Sequence, residues 1–224
     1  MTRQQYPGMY PIISIVGKSD SGKTTLLEKL IGELKRRGYR VVAMKHSDKD
    51  LEPDTVNKDS WRLSQAGSEI TVLSSVQKLA VFTTLSTDVS PEELSALISW
   101  DYDLLLTEGF KKNHYPKIEV HRKEQGTGLL SQPGQLLALV TDEPVDVDVP
   151  QFSQDDISRI ADLIESSLLD RRGEDRIDLL INGRHIPVSR FLQNLLARTL
   201  IAMIPALRKC QELRSMRIWL RRQG

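Results

Sequence analysis

The stretch Gly17-Lys18-Ser19-Asp20-Ser21-Gly22-Lys23-Thr24 constrains the fold of this chain more than any other, because it fills every position of G-x-x-x-x-G-K-[S/T]. Such a loop works between a buried strand and a helix. Here an apolar run, residues 11–16, precedes it, and residues 24–34 carry apolar side chains at helical spacing. The two glycines let the backbone curl until consecutive N–H groups converge on an anion, and the helix start adds partial positive charge. Lys23 is expected to reach the β- and γ-phosphates of a Mg-nucleoside triphosphate and the Thr24 hydroxyl to ligate Mg²⁺, with Gly17, Asp20, Ser21, Gly22 and Thr25 around the phosphates. Lys18 is expected to face solvent. One class of dimeric ATPases carries a lysine at that position, but Ser19-Asp20 stands where that class has a glycine pair.

A phosphate loop of this kind needs a second acid at the end of a neighbouring buried strand to hold the metal. The run Asp103-Leu104-Leu105-Leu106-Thr107-Glu108-Gly109 offers Glu108 there, followed by a glycine whose N–H is positioned for the γ-phosphate. Asp103 sits at the strand's entry end and is left out.

Strands are predicted at residues 11–16, 39–44, 70–73, 79–83, 103–107, 117–121 and 136–141. Helices are predicted after the phosphate loop, over 58–65, from Pro91 after Ser90, and from a cap at Ser153 or Asp155 to about Leu169. This alternation favours an α/β fold, a mainly parallel P-loop NTPase sheet with helices on both faces. Residues 1–170 form this nucleotide-binding domain. Residues 174–224 read as a small α+β appendage of ββαβ order: a hairpin around Asn182-Gly183, a helix from Ser189 to about Leu207, and a strand over 214–221.

Charge supports the division. Residues 1–170 hold 19 Lys+Arg against 26 Asp+Glu, and residues 171–224 hold 12 against 4. No apolar run approaches the ~20 residues of a membrane helix. A single cysteine, Cys210, argues against a disulfide framework and fits a reducing cytoplasm.

The phosphate loop, the Lys45-His46 pair after the second strand, Lys58-Asp59-Ser60 before a helix ending Gln65-Ala66-Gly67, and Glu108-Gly109-Phe110-Lys111 occur in order. In this combination residues 11–168 resemble MobB, the molybdopterin-guanine dinucleotide biosynthesis protein B family. The resemblance implies a GTP-binding, weakly hydrolysing homodimer that assists MobA, the enzyme joining GMP to molybdopterin. It also places His46 and Asp59 in loops facing the nucleotide or the pterin, although a lone histidine is as readily structural. Phe110 and Lys111 are candidates to shelter and contact an anionic ligand, Phe110 equally a packing residue.

Guanine needs an acceptor pair for its N1–H and N2–H₂ edge, which a carboxylate supplies. Asp142, ending the apolar strand 136–141, is the candidate, although the Asn-Lys-x-Asp signature is absent. A small-metabolite kinase is a rival reading, but the segment 111–135 has Arg122 alone for an arginine lid. A metal-insertion GTPase needs a thiolate or histidine cluster, and one cysteine with four scattered histidines does not make one. A nucleic-acid module in the basic tail lacks an aromatic stacking platform.

Overall fold

The computed structural model describes residues 11–47, 59–83, 85, 89–91, 93–94, 102–126, 128–169, 177, 179–181, 184–186 and 188–206. The main sheet has six strands: β1 (Ile12–Gly17), β2 (Val41–Lys45), β5 (Leu104–Glu108), β6 (Lys117–Val120), β7 (Leu136–Val140) and β8 (Gln151–Phe152). Their order is β2-β5-β1-β6-β7-β8 and every pairing is parallel. Parallel strands of this kind are covered on both faces, which explains their apolar runs. The eighth strand has no counterpart among the predicted elements. It is two residues long and leaves no periodic pattern to read.

One face of the sheet presents Ile13, Ile15, Leu104, Leu106, Ile118, Val120, Ala138 and Val140 to two helices. These are α1 (Lys23–Arg36), which buries Leu26, Leu27, Leu30 and Leu34, and α3 (Ile157–Ile164), which buries Ile160, Ala161 and Ile164. Arg37, just past the end of α1, locks the two together. Its guanidinium donates to Glu33 at 2.7 Å, to Asp162 and Glu165 at 2.6 Å each, and to the Ser158 carbonyl at 2.9 Å. Hydrogen bonds from Arg36 and Arg37 pull the Glu33 carboxyl down to about 2. The cap of α3 differs from expectation. Asp156, and not Ser153 or Asp155, stands before the helix, and it accepts from the Ser153 N–H and hydroxyl at 2.8 Å each. A wider π-type turn, Glu165–Leu169, continues α3 to the predicted end.

The opposite sheet face is part apolar, part polar. Ile12, Leu105, Tyr102 and Tyr115 cluster with Val42 and Met44. Beside them Thr107 donates to Ser14 at 2.9 Å, and Lys117, fully buried, donates to the Asn113 carbonyl and to Gln135, both at 2.5 Å. Burial holds the Lys117 ammonium below its usual pKa. Glu119 accepts the N–H groups of Leu130 and Ser131, pinning the loop ahead of β7. Ahead of β5, Ser90 and Glu93 exchange side chain–backbone bonds of 2.9 and 3.2 Å, a capping box at the helix start expected from Pro91.

Residues 59–83 form a separate layer. Helix α2 (Asp59–Gln65) packs on β3 (Ile70–Ser74), which pairs antiparallel with β4 (Leu79–Thr83) outside the main sheet. In the C-terminal part, β9 (Leu179–Ile181) pairs antiparallel with β10 (Arg184–Ile186). Helix α4 (Arg190–Met203) then starts at Ser189, whose hydroxyl accepts the Leu192 N–H. Asn182, Gly183 and the strand expected at 214–221 lie outside the described residues. Among the described residues no helix is long and apolar enough to cross a membrane.

Candidate functional site

The phosphate loop leaves the C-terminal end of β1 and enters α1, as its sequence requires. A Cβ on Gly17 would stand 2.5 Å from the Val120 carbonyl oxygen and 2.7 Å from Ser21 Oγ, so only glycine fits beside β6. Gly22 has φ +93°, and a Cβ there would meet Gln154 Nε2 at 2.6 Å. Gly22 is the N-cap of α1 and brings no side chain to it, and the first turn holds no acidic residue. The helix N-terminus therefore keeps its positive end and unpaired N–H groups for an anion. Ser21 Oγ is buried without a hydrogen-bond partner among the described residues, an uncompensated hydroxyl inside the same loop.

Behind the loop, β5 delivers Glu108 to the site. Thr24 Oγ1 donates to Glu108 Oε2 at 2.8 Å, so the two predicted metal ligands touch. The separation suits a shared divalent cation: two neighbouring oxygens of a Mg²⁺ octahedron with 2.0–2.1 Å bonds lie about 2.9 Å apart. Lys45, in register with Glu108 across β2 and β5, places its ammonium 3.2 Å from Glu108 Oε1. Lys23 donates to the Lys18 carbonyl at 2.5 Å. Its pKa is lowered, first by burial, against the attraction of Glu108, with Lys111 adding repulsion. The negative charge of a bound phosphate would offset both lowering effects. Asp20 has φ +58° and Thr25 is exposed at the start of α1.

The remaining expectations fall on two sides of this centre. On the β2 side, the His46 N–H donates to the Glu108 carbonyl at 3.0 Å, and the His46 and Phe110 rings lie 4.8 Å apart, tilted by 38°. Phe110 is buried at φ +52°, an unusual backbone for a side chain of that size. The Gly109 N–H donates to the Ile15 carbonyl at 3.2 Å and does not point a donor at the site as expected. Asp59 lies on α2 with an almost fully exposed carboxylate 3.8 Å from Arg62, and none of the described contacts joins it to the loop.

On the β7 side, Asp142 accepts the Lys123 N–H at 2.9 Å and lies 3.7 Å from Arg122. Its carboxyl is held below the usual range, chiefly by that backbone N–H. Arg122 also donates to the Ser21 carbonyl at 3.1 Å and to Gln154, whose amide donates to the Gly22 carbonyl at 3.2 Å. Gln125 donates to the Ser19 carbonyl at 2.7 Å. Lys18 donates to the Gln125 carbonyl, which corrects the expectation that it faces solvent. Arg122, Gln125 and Gln154 thus brace the outer side of the phosphate loop. Nothing in their type or spacing announces this role, since the contacts span 32 to 132 positions of chain. Among the described residues no group of three or more His, Cys, Asp or Glu is placed to hold a metal.

Known proteins share this architecture. Residues 12–142 match the family described as Molybdopterin guanine dinucleotide synthesis protein B, MobB. The molybdopterin-guanine dinucleotide biosynthesis adapter protein of Haemophilus influenzae is 40% identical over 159 residues, 70% of this chain and 89% of the relative. A putative adapter protein of the same kind from Methanocaldococcus jannaschii is 26% identical and aligns with 88% of this chain and 92% of its own. The crystal structure of Bacillus subtilis MobB superposes with a TM-score of 0.58 and 28% identity, over 74% of this chain and all of that one. With the phosphate loop, the Thr24–Glu108 pair and the sheet order in place, the chain belongs to the MobB family.

Proposed function

We propose that this protein binds Mg-GTP at the phosphate loop and acts as the adapter in molybdopterin guanine dinucleotide synthesis, handing nucleotide and molybdopterin to a MobA-type guanylyltransferase. The Thr24–Glu108 contact beneath an uncapped helix start carries the reading, because it sets two metal-ligating oxygens beside a phosphate cradle. Thr24 and Glu108 would hold Mg²⁺, whose charge offsets that of the phosphates; Lys23 orients the β- and γ-phosphates, and Glu108 positions water for slow hydrolysis.

Asp142 is the guanine acceptor in this reading. Its depressed pKa keeps it ionised, as an acceptor pair requires, and guanine takes over the oxygen that Lys123 holds here. Molybdopterin, with His46, Phe110 and Lys111 around it, belongs on the β2 side, where the terminal phosphate lies. The protein works as a homodimer in the cytoplasm. Support for the dimer comes from β3 and β4, where Ile70, Val72, Leu79 and Val81 stand about half exposed on one face of the hairpin.

Lys23→Ala tests the nucleotide site. Loss of a charge-assisted phosphate contact of ~1.5–3 kcal/mol should weaken triphosphate binding by about 10- to 150-fold with an unchanged melting curve in the absence of nucleotide. Calorimetric titration showing wild-type affinity in the variant would remove the reading.

A further inference from the structure

Glu108 is the carboxylate toward which the lysines of the site converge. It is nearly buried, and both its oxygens are engaged: Oε2 by the Thr24 hydroxyl and Oε1 by the Lys45 ammonium. A buried carboxylate needs a compensating charge. Lys23, the motif lysine, donates instead to a loop carbonyl. The direct ion pair thus comes from Lys45, a residue outside the phosphate-loop motif, reaching across from the edge strand β2 with a side chain about two-thirds exposed, while Lys23 adds only its longer-range attraction. A long exposed stem of this kind changes direction at small cost.

Strand order gives the site a direction. The phosphate loop follows β1; Asp142 and Gln154 lie toward β7 and β8, and Glu108 and Lys45 lie on β5 and β2. A nucleotide whose base is on the Asp142 side runs its phosphates toward Glu108, so its terminal phosphate ends on the Lys45 side. A metal ion beside Thr24 would take Glu108 Oε2 and compensate the carboxylate charge. Lys45, paired with Oε1, would then no longer be needed for that neutralisation, and its exposed stem could turn to the incoming phosphate.

We propose that Lys45 is a terminal-phosphate ligand: it neutralises Glu108 in the nucleotide-free protein and transfers its hydrogen bonds to the γ-phosphate when a triphosphate binds. A diphosphate offers no such acceptor, so Lys45 distinguishes the two nucleotide states of the protein. The exchange rests on the Mg-GTP reading given above, and adds to it a residue and a step.

Equilibrium titrations of the full chain with GDP and with the β,γ-imido analogue of GTP, at fixed Mg²⁺, compare wild type with Lys45→Ala and Lys45→Arg. The expected result is a fall of about tenfold in the triphosphate-to-diphosphate affinity ratio for Lys45→Ala, the size of one charge-assisted bond. Lys45→Arg keeps the ratio within about threefold of wild type. Measured with GDP, where no γ-phosphate enters, the Mg²⁺ concentration giving half-maximal binding should fall in Lys45→Ala because the ammonium competing for Glu108 is gone. The affinity ratio reads the phosphate contact separately, and a merely structural lysine would not change it. An unchanged affinity ratio in Lys45→Ala, or an equal loss of both nucleotides, overturns the inference while leaving the nucleotide site standing. A wild-type protein that binds neither nucleotide overturns both.

Discussion

The Thr24–Glu108 bond joins residues 84 positions apart, and the two halves of that contact were readable in different ways. Thr24 belongs to a contiguous motif whose spacing encodes its own backbone shape. Glu108 was legible because a phosphate loop needs an acid at the end of a neighbouring buried strand, and the short apolar run Leu104–Thr107 has the length of one. The bracing contacts of Arg122, Gln125 and Gln154 were not legible, because loop conformation and strand order decide them. The same holds for Gly109, whose N–H is taken by β1. For Glu108 itself, replacement by Gln keeps the size and the Thr24 contact but removes the charge. Mg-dependent GTP hydrolysis should then fall at least about tenfold more than GTP affinity does, read by single-turnover assays beside binding titrations. Equal changes in the two would leave Glu108 a packing residue at the end of β5.

At the level of elements, period and punctuation were enough for most of the fold. The strands β1, β2, β5, β6 and β7, helix α1 with basic residues in its last turn, and the helix start at Pro91 after Ser90 follow from local patterns. The short β8 and the π-type turn after α3 did not, having too few residues to carry a period. The hairpin β3–β4 shows a pattern the periodicity rule would invert. Its inner positions include Thr71, whose hydroxyl lies 3.0 Å from that of Ser64 on α2, while Val72 and Val81 pair across the outer face. An antiparallel hairpin normally turns its apolar side inward, and this exposed outer face is where the proposed homodimer would form. Val81→Asp places a charge in that face. The homodimer dissociation constant should rise at least about tenfold, since an unpaired buried charge costs several kcal/mol. Sedimentation equilibrium measures it; an unchanged mass would move the dimer interface elsewhere.

Across the whole molecule, residues 1–170 are acidic and residues 171–224 are basic and rich in apolar helix positions. Phe191, Leu195 and Met203 stand at least half exposed on α4, apolar side chains open to a partner. The Haemophilus influenzae relative has 89% of its length matched by 70% of this chain, consistent with a first unit that folds without the segment beyond it. Truncation after Asp170 should therefore leave GTP affinity within about twofold while shifting oligomeric state or MobA association, with the opposite charges of the two units favouring docking between them. A truncated protein with unchanged mass and MobA binding but no GTP binding would reverse that assignment. The nucleotide itself decides the account most directly. Titration of the full chain with Mg-GTP and Mg-ATP should show saturable binding of one GTP per chain, at least about tenfold tighter than ATP. That margin corresponds to about 1.4 kcal/mol, within reach of one bidentate acceptor, and Asp142→Ala should remove most of it. Equal affinities for the two nucleotides, or no binding of either, would contradict it.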